Sequence, residues 1–369
     1  MNTSTWPEQL AIDNCELAEL LGVAEVHSVE AAELPYGLVA LTTDSRWCVD
    51  VATSDGPVAL VVKVARDVRR SPFFHVIPVE LAEAAARGLP WDIEPNVYRS
   101  ELGVALPQGM SLPRCYAVRP IDDDSAAIWI ERVPHAATWT TQMYADAARM
   151  LGRFAASPEV GRIADGIGHP SGPVQARTYY LGRLRSQFVD TYRSGEIWSH
   201  PVVARYVTPA LRARLFALID VMPSLIDEIE TLPLLSAHGD ACPNNLLSTG
   251  DGTFTVIDWA FFGRSRVGFD LTQLVNSGID LGHMTADRLP ELQDLCLRHY
   301  RIGLADSGFD IELDALTRAH RIQLTAFSAL SAIPLEQLPD NDTDDQALNA
   351  LMHERMRALD LMLAGIGLQ

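Results

Sequence analysis

The chain has 369 residues, 48% of them hydrophobic, and a formal net charge of −19 at pH 7. This length exceeds the usual size of one domain, so two lobes are predicted. The acidic balance argues against a nucleic-acid partner, because that binding depends on Lys and Arg side chains that neutralise phosphates. It is compatible with a cationic substrate, and a solvated acidic surface accounts for it equally well.

Two further features concern the location of the protein. No apolar run is long enough to span a membrane, and the N-terminus lacks the basic and then apolar pattern of a secretion signal. The five cysteines are scattered, without the pairing typical of a metal site. Reduced thiols are the simplest account, so the sequence predicts a cytoplasmic protein with no membrane partner.

The N-terminal part is predicted to be a small β-rich lobe. Residues 22–34 and the alternating segment 46–52 are the first two predicted strands, and the apolar segment 58–65, after a turn at 54–56, is the third. Lys63 is the unusual residue of the third strand, because charged side chains are seldom buried without a partner. It is either a functional cation or an edge-strand lysine that points to solvent.

The rest of the chain is predicted to become mostly helical. Residues 72–88 predict an extra helix, 112–118 a fourth strand, and 126–134 a fifth strand that continues into a linker. Beyond residue 139, apolar positions recur at three- and four-residue spacing. The helices predicted there include 143–154, 174–193 and 208–231. The acidic run 340–345 predicts a solvated loop and helix cap, with an acidic wall for a cationic substrate as the alternative.

One stretch of the second half carries the strongest signal. An apolar strand leads into the tripeptide His-Gly-Asp that ends at Asp240, and Asn245 follows five positions later. A hairpin with its turn at 248–252 then returns to Asp258, within the tripeptide Ile-Asp-Trp. Because Gly, Asn and Asp are common in turns, two Asp-rich turns with a chance histidine are the alternative interpretation.

The chemistry of phosphoryl transfer explains this spacing. In kinases one aspartate orients the attacking hydroxyl, a nearby asparagine holds a metal ion, and a second aspartate holds the metals that bridge the nucleotide phosphates. Asp240, Asn245 and Asp258 fit these three roles in order. Mg²⁺ prefers oxygen ligands, and one carboxylate and one amide oxygen suffice when phosphates and water supply the rest.

At these residues the chain resembles the aminoglycoside phosphotransferase and choline kinase superfamily, which shares the protein-kinase architecture. That family has His-Gly-Asp, four variable residues and Asn, and then Ile-Asp-Trp, as this chain has at 238–245 and 257–259. The pair Asp270-Leu271 also matches the family pattern. The resemblance covers most of the chain and is weak at both ends.

The resemblance implies an α+β, two-lobed protein-kinase-like fold. A small antiparallel-sheet lobe, 1–133, is expected to bind the nucleotide. A larger, mostly helical lobe, 134–369, is expected to carry the catalytic loop 236–247 and the metal-binding segment 256–270.

The resemblance also assigns the residues that grip the nucleotide phosphates. Lys63 is expected to hold the α- and β-phosphates, paired with Glu94, which lies four residues before the aromatic Tyr98 as in the family. Pro95 departs from the family pattern. Because proline fits only the first turn of a helix, the helix is predicted to start near Glu94, and Glu101 is the alternative partner.

Two loops complete the expected nucleotide site. The loop 36–45, between the first two strands, has one glycine instead of a glycine-rich repeat. The candidate phosphate contacts there are the amides and hydroxyls of Thr42, Thr43 and Ser45. A plain polar hairpin turn is the alternative. After the fifth strand, main-chain groups from Glu131 to Val133 are expected to bond the base, which leaves ATP and GTP undistinguished.

His238 is expected to support the catalytic loop by hydrogen bonding, as in the family, with a general-base role as the alternative. No further His or Cys residues at suitable spacing indicate a zinc site.

The sequence therefore predicts an enzyme that transfers the γ-phosphate of ATP or GTP, with Mg²⁺, to a hydroxyl of a small molecule. The predicted acceptor is an aminoglycoside, a basic peptide antibiotic or a nucleoside antibiotic. A metabolic kinase for a sugar, amino-alcohol or nucleoside is one alternative, and a nucleotide-binding regulator without turnover is another. A protein kinase is disfavoured, because no Ala-Pro-Glu activation segment follows Asp258.

Overall fold

The computed structural model describes residues 10–34, 41–72, 74, 79–136, 138–169, 175–338 and 345–368. Residues 36–40 of the predicted phosphate loop and 340–344 of the acidic run lie outside the described residues. The last residue of that run, Asp345, is described, and its carboxylate caps a helix by accepting the amide protons of Ala347 and Leu348. The predicted cap is therefore confirmed at Asp345.

The N-terminal part of the chain forms an antiparallel sheet. The strands of this part are β1 (Val26–Glu33), β2 (Thr43–Thr53), β3 (Gly56–Arg66), β4 (Met110–Ser111), β5 (Cys115–Asp122) and β6 (Ser125–Glu131). Five of them pair in the order β1-β2-β3-β6-β5. The fourth predicted strand, 112–118, is displaced toward the C-terminus, and its position at the sheet edge allows Pro120 inside it, since an edge strand can lack an amide donor.

One face of this sheet packs against a helix that was not predicted, α1 (Asn14–Leu21). Asp13 caps its first turn and Gly22, with φ of 72°, ends it, so the predicted strand 22–34 begins only at Val26. The core between helix and sheet is apolar and includes Leu17, Leu21, Val49, Val51, Leu60, Val62 and Trp129. Every second residue of β2 and β3 contributes to it, which leaves the intervening side chains on the opposite face.

Three short helices lie between β3 and β5: α2 (Val79–Gly88), α3 (Ile93–Arg99) and α4 (Leu102–Ala105). Buried side chains of α3 and α4, among them Ile93, Val97 and Leu102, belong to the same apolar core as the C-terminal region. Helix α3 therefore packs with the helical part of the molecule although it precedes β5 and β6 in the chain.

The remainder of the chain is mostly helical, as predicted. Its helices are α5 (Thr141–Ala156), α6 (Pro158–Ile167), α7 (Ala176–Tyr179), α8 (Asp190–Ser194), α9 (Pro201–Tyr206), α10 (Pro209–Glu230), α11 (Phe269–Asp280), α12 (Leu289–Asp306), α13 (Leu313–Leu324) and α14 (Gln346–Gly365). Stretches of π-helix at Tyr180–Val189 and Thr325–Ala329 follow α7 and α13, so the predicted helix 174–193 is not a regular α-helix. Short 3₁₀ turns occur at Val68–Arg70, Glu196–Ser199, Ala286–Arg288 and Leu335–Gln337.

The segment between α10 and α11 forms two small sheets, one of which also includes β4. Their strands are β7 (Leu234–Ala237), β8 (Leu246–Leu247), β9 (Phe254–Val256) and β10 (Gly263–Arg266). Strands β7 and β10 pair antiparallel, and β9 pairs with β8 on one side and with β4 on the other. The predicted architecture, a small antiparallel sheet followed by a mostly helical region, is confirmed. Among the described helices, none is long and apolar enough to cross a membrane.

Helices α5 and α12 approach each other through paired glycines. A Cβ atom on Gly152 would lie 2.2 Å from the carbonyl oxygen of Tyr300, and one on Gly303 would lie 2.0 Å from that of Arg149. Both distances are far below van der Waals contact, so the two helix backbones touch directly. Helix α5 also supports the loop that follows β9, because its residues Leu151 and Phe154 pack in the same core as Trp259.

We expect Gly303→Ala to destabilise the protein by about 1–3 kcal/mol or more, because the new methyl group forces the helices apart. Gly166→Ala is the matched control: Gly166 is exposed in α6 and has no atom within 4 Å of an added Cβ, so its replacement should be neutral or stabilising. Urea unfolding of both variants measures the difference, and equal midpoints for the two would refute the glycine contact.

Candidate active site

The loop that carries His238 follows directly on β7, where Ala237 pairs with Gly263. Gly239 turns the chain with φ of 91°, a left-handed angle that favours glycine. A Cβ atom there would also lie 2.3 Å from the carbonyl oxygen of Phe261. Backbone angle and space both require glycine in the His-Gly-Asp tripeptide.

Asp270 holds this loop from the first turn of α11. Its carboxylate oxygens accept the amide protons of His238, at 2.9 Å, and of Gly239, at 3.0 Å. Burial raises the pKa of Asp270 to about 6, against the lowering effect of these two bonds. The sequence identified Asp270 only through the family pattern and gave it no role. Its one local signal was an acidic residue in the first turn of a helix.

His238 connects the two loops of the site. Its Nε2 lies 3.0 Å from the carbonyl oxygen of Ile257, and its Nδ1 accepts the amide proton of Asp240 at 3.2 Å. The imidazole is fully buried and its ring meets Trp259 edge-on at 4.6 Å between centroids. Burial lowers the pKa of His238 to about 4, so the neutral ring donates from Nε2. These bonds match the predicted support of the loop.

Asp240 and Asn245 are joined directly. The Asn245 amide nitrogen donates to the carbonyl oxygen and to Oδ2 of Asp240, both at 2.9 Å. These bonds turn the amide oxygen of Asn245 away from Asp240. Burial, and then the negative charge of Asp258, raise the pKa of Asp240 to about 7, while the Asn245 bond lowers it. The carboxylate is therefore a stronger proton acceptor than an ordinary aspartate.

Lys63 extends from β3 to two carboxylates. Its Nζ lies 2.5 Å from Oε2 of Glu94 on α3 and 2.8 Å from Oδ1 of Asp258, which follows β9. Burial would lower the pKa of Lys63, but the charges of Asp258 and Glu94 raise it above its ordinary value, so the lysine stays protonated. Asp258 has φ of 62°, a left-handed conformation that non-glycine residues adopt at a cost.

The structure decides between the two candidate glutamates. Glu94 is buried and pairs with Lys63, whereas Glu101 is exposed at the start of α4. Helix α3 begins at Ile93, which places Pro95 in its first turn as predicted. The ion pair between Lys63 and Glu94 is confirmed.

The residues predicted to contact phosphates lie at the start of β2. The Thr42 carbonyl accepts the amide proton of Arg66 at 2.9 Å, and Thr43 pairs with Ala65. The Ser45 hydroxyl accepts the indole proton of Trp47 at 3.2 Å. Ser45 and Trp47 share one face of β2, which is opposite to the face of Lys63. The contacts of these three residues with phosphate remain a prediction.

Arg46, a residue that the sequence analysis did not identify, lies beside Lys63. Strands β2 and β3 keep one regular register from their turn, where Thr53 pairs with Gly56, and this register sets Arg46 directly opposite Lys63. Burial alone would raise the pKa of Asp258, but the charge of Lys63 and, to a smaller extent, that of Arg46 hold it below its ordinary value. The face of the sheet that bears Lys63 and Arg46 is called the cleft face below.

The predicted hinge lies at the end of β6. The amide of Glu131 donates to the carbonyl of Arg114 at 2.9 Å, and its side chain accepts the Arg114 amide proton at 2.8 Å. The Val133 carbonyl lies 3.2 Å from Nδ1 of His135. Their contact with a nucleotide base remains a prediction.

The site thus joins a buried cation, a carboxylate more basic than an ordinary aspartate, and an amide and a carboxylate whose oxygens are suitable for a divalent metal. Within the described parts of the chain, no group of three His, Cys, Asp or Glu side chains could hold a metal. A metal held by Asn245 and Asp258 would therefore need further oxygen ligands, of the kind that nucleotide phosphates carry.

The fold of the chain has counterparts among solved structures. The chain is similar in structure to spectinomycin phosphotransferase in complex with ADP and spectinomycin, with a TM-score of 0.52, 11% identity, and coverage of 96% of this chain and 98% of that one. It is also similar to amicoumacin kinase in complex with AMP-PNP, Ca²⁺ and Ami (TM-score 0.49, 13% identity, 89% and 87% covered) and to choline kinase from Streptococcus pneumoniae (TM-score 0.46, 15% identity, 94% and 98% covered).

No curated protein matches the chain in a sequence comparison. The sequence profile described as the phosphotransferase enzyme family, APH, matches residues 98–302, which is more than half of the chain. This segment contains Asp240, Asn245, Asp258 and Asp270. The chain belongs to the phosphotransferase enzyme family.

Proposed function

We propose that the protein transfers the γ-phosphate of ATP or GTP to a hydroxyl group of a small molecule, an antibiotic. One observation carries the proposal. The ion pairs of Lys63 with Glu94 and Asp258 lie beside the hydrogen-bonded pair of Asp240 and Asn245, and the charges of Asp258 and Lys63 both act on Asp240. Phosphoryl transfer requires this combination of a phosphate-binding cation, metal ligands and a hydroxyl-orienting carboxylate.

In the proposed reaction, Asp240 accepts a hydrogen bond from the acceptor hydroxyl and receives its proton. The hydroxyl oxygen forms a bond to the γ-phosphorus, and the bond from that phosphorus to the β–γ bridging oxygen breaks, so a nucleoside diphosphate leaves. Asn245 orients Asp240 through its amide nitrogen. Lys63 is fixed by two carboxylates and meets the phosphates without further reorganisation.

The donor set fits Mg²⁺, because Asp258 and Asn245 offer hard oxygen atoms and no soft ligand. When bound, the ion neutralises charge that develops on the transferring phosphoryl group. Asp258 is oriented by Lys63, and Asn245 by Asp240.

The acidic balance of the chain, 48 acidic against 29 basic residues, supports an acceptor that carries positive charge, such as an aminoglycoside or a basic peptide antibiotic. A nucleoside antibiotic is the third candidate. A metabolic sugar, amino-alcohol or nucleoside kinase is the alternative, because the same residues serve any hydroxyl acceptor.

Incubation of the protein with ATP or GTP, Mg²⁺ and a panel of antibiotics, sugars, amino-alcohols and nucleosides tests the proposal. We expect one antibiotic to gain a single phosphate by mass spectrometry, with nucleoside diphosphate formed in equal amount. A phosphorylated metabolite instead supports the metabolic alternative. Nucleotide binding without hydrolysis or transfer to any compound would support a regulator that lacks turnover.

Asp240→Asn should reduce transfer by about 10²–10⁴-fold and leave nucleotide affinity nearly unchanged, because the amide keeps an acceptor for Asn245 but takes up no proton. Transfer rate and nucleotide affinity are measured on the same preparation. Asp310→Asn, at an exposed position, is the control and should behave as wild type. Turnover of Asp240→Asn within a few-fold of wild type excludes Asp240 as the proton acceptor.

Asp258→Ala should abolish the thermal stabilisation that nucleotide plus Mg²⁺ confers. A ligand at about 100 times its dissociation constant stabilises a protein by roughly 2.7 kcal/mol. The melting temperature of the variant with nucleotide and Mg²⁺ is compared with that of the same variant without ligand. Asp310→Ala should keep the full Mg²⁺-dependent shift. If Asp258→Ala keeps it as well, Asp258 is not the metal ligand.

A further inference from the structure

A second cation lies on the cleft face beside Lys63. Arg46 of β2 is the direct cross-strand partner of Lys63 in β3, and directly paired residues of an antiparallel sheet project on the same side. That side of the sheet faces Asp258, because Lys63 contacts the Asp258 carboxylate at 2.8 Å, and the charge of Arg46 contributes to the lowered pKa of Asp258. The guanidinium is partly buried, with Nε inaccessible to solvent.

The charge balance of the cleft calls for a second cation. Lys63 is already compensated by Glu94 and Asp258, and Asp240 adds a third carboxylate nearby. A nucleoside triphosphate brings several more negative charges into this partly buried space, where unpaired charges are costly. Bound metal offsets part of this charge, and a protein cation on the phosphate side offsets more.

The sequence of the predicted phosphate loop also favours a second cation in the cleft. Protein kinases cover the phosphates with a glycine-rich loop whose backbone amides approach closely. The segment 36–45 has one glycine, Gly37, instead of the several that such a loop contains. Arginine, with its planar fork of donors, is suited to bind phosphate oxygens in pairs.

We propose that Arg46 binds the β- and γ-phosphates of the nucleotide from the cleft face of β2 and compensates for the glycine-poor loop. This role rests on the proposed function. The neighbouring arginine of the sheet, Arg66, does not share it, because Arg66 lies on the opposite face of β3 and pairs with Asp44.

The test compares Arg46→Gln and Arg46→Lys with Arg70→Gln, a control that removes one positive charge from an exposed ion pair with Asp122. Calorimetry measures the affinity for four ligands of each base, adenine and guanine: the nucleoside triphosphate, diphosphate and monophosphate, and the free nucleoside. Each titration is done once with Mg²⁺ and once with EDTA. Arg46→Gln should weaken triphosphate binding about tenfold to a hundredfold in both conditions, the range for charge-assisted hydrogen bonds.

Monophosphate and nucleoside affinity should stay unchanged in Arg46→Gln, Arg46→Lys should recover part of the loss, and Arg70→Gln should match wild type. Triphosphate affinity within about twofold of wild type in Arg46→Gln overturns the proposal. So does an equal loss for the nucleoside, which indicates a disturbed fold, or a loss only with Mg²⁺, which indicates an effect through Asp258.

The same titrations distinguish a failure of this inference from a failure of the proposed function. If the wild-type protein binds triphosphate and Arg46→Gln binds it equally well, only the role of Arg46 fails. If the wild-type protein binds no nucleoside triphosphate of either base, the proposed function fails, and the role of Arg46 fails with it.

Discussion

The buried ammonium group of Lys63 joins three parts of the chain that are distant in sequence. It leaves β3, contacts Glu94 on α3, and reaches Asp258, which is 195 residues away. A buried charge without a partner costs several kcal/mol, so the sheet, α3 and the segment after β9 are stable only when these groups meet. The position of the sheet relative to Asp258 is thereby set by the same contact that prepares the site for phosphates.

Buried polar groups hold the loop that carries Asp240 in place. Asp270 fixes the amides of His238 and Gly239, and His238 bonds Ile257, the residue before Asp258. The loops that carry Asp240 and Asp258 therefore share one buried hydrogen-bond network. Such a network reduces the reorganisation needed during reaction, because the reactive groups are already in place.

This arrangement of carboxylates has a cost in stability. The pKa of Asp240 is raised to about 7, above the ordinary value of 3.8, chiefly by burial and then by Asp258. When the pKa of an aspartate is higher in the folded than in the unfolded state, the protein loses stability as the pH rises from the unfolded-state pKa toward the folded-state pKa. The reason is that the aspartate ionises first in the unfolded chain. Bound cations oppose this loss at neutral pH, so the site gains stability from the ions and substrate that its function uses.

Local sequence determined much of this protein. Apolar alternation predicted β2, and a continuous apolar segment predicted β3. Helical periodicity predicted α5 and α10, and the spacing of His238, Asp240, Asn245 and Asp258 predicted the candidate site. These signals depend on residues that are close in the chain, so a single sequence contains them. The apolar strand marked Lys63 as unusual, and the family resemblance then singled it out as a functional cation.

Only the tertiary structure decided which distant residues meet. Glu94 and Glu101 were both plausible partners of Lys63, and the break between α3 and α4 left Glu101 exposed. The register of the β2–β3 hairpin, regular from Thr53 and Gly56 to Arg46 and Lys63, set Arg46 beside Lys63. A one-residue shift exchanges the two faces of a strand, and long-range pairs depend on how elements pack; neither is encoded in the local pattern of apolar and polar residues.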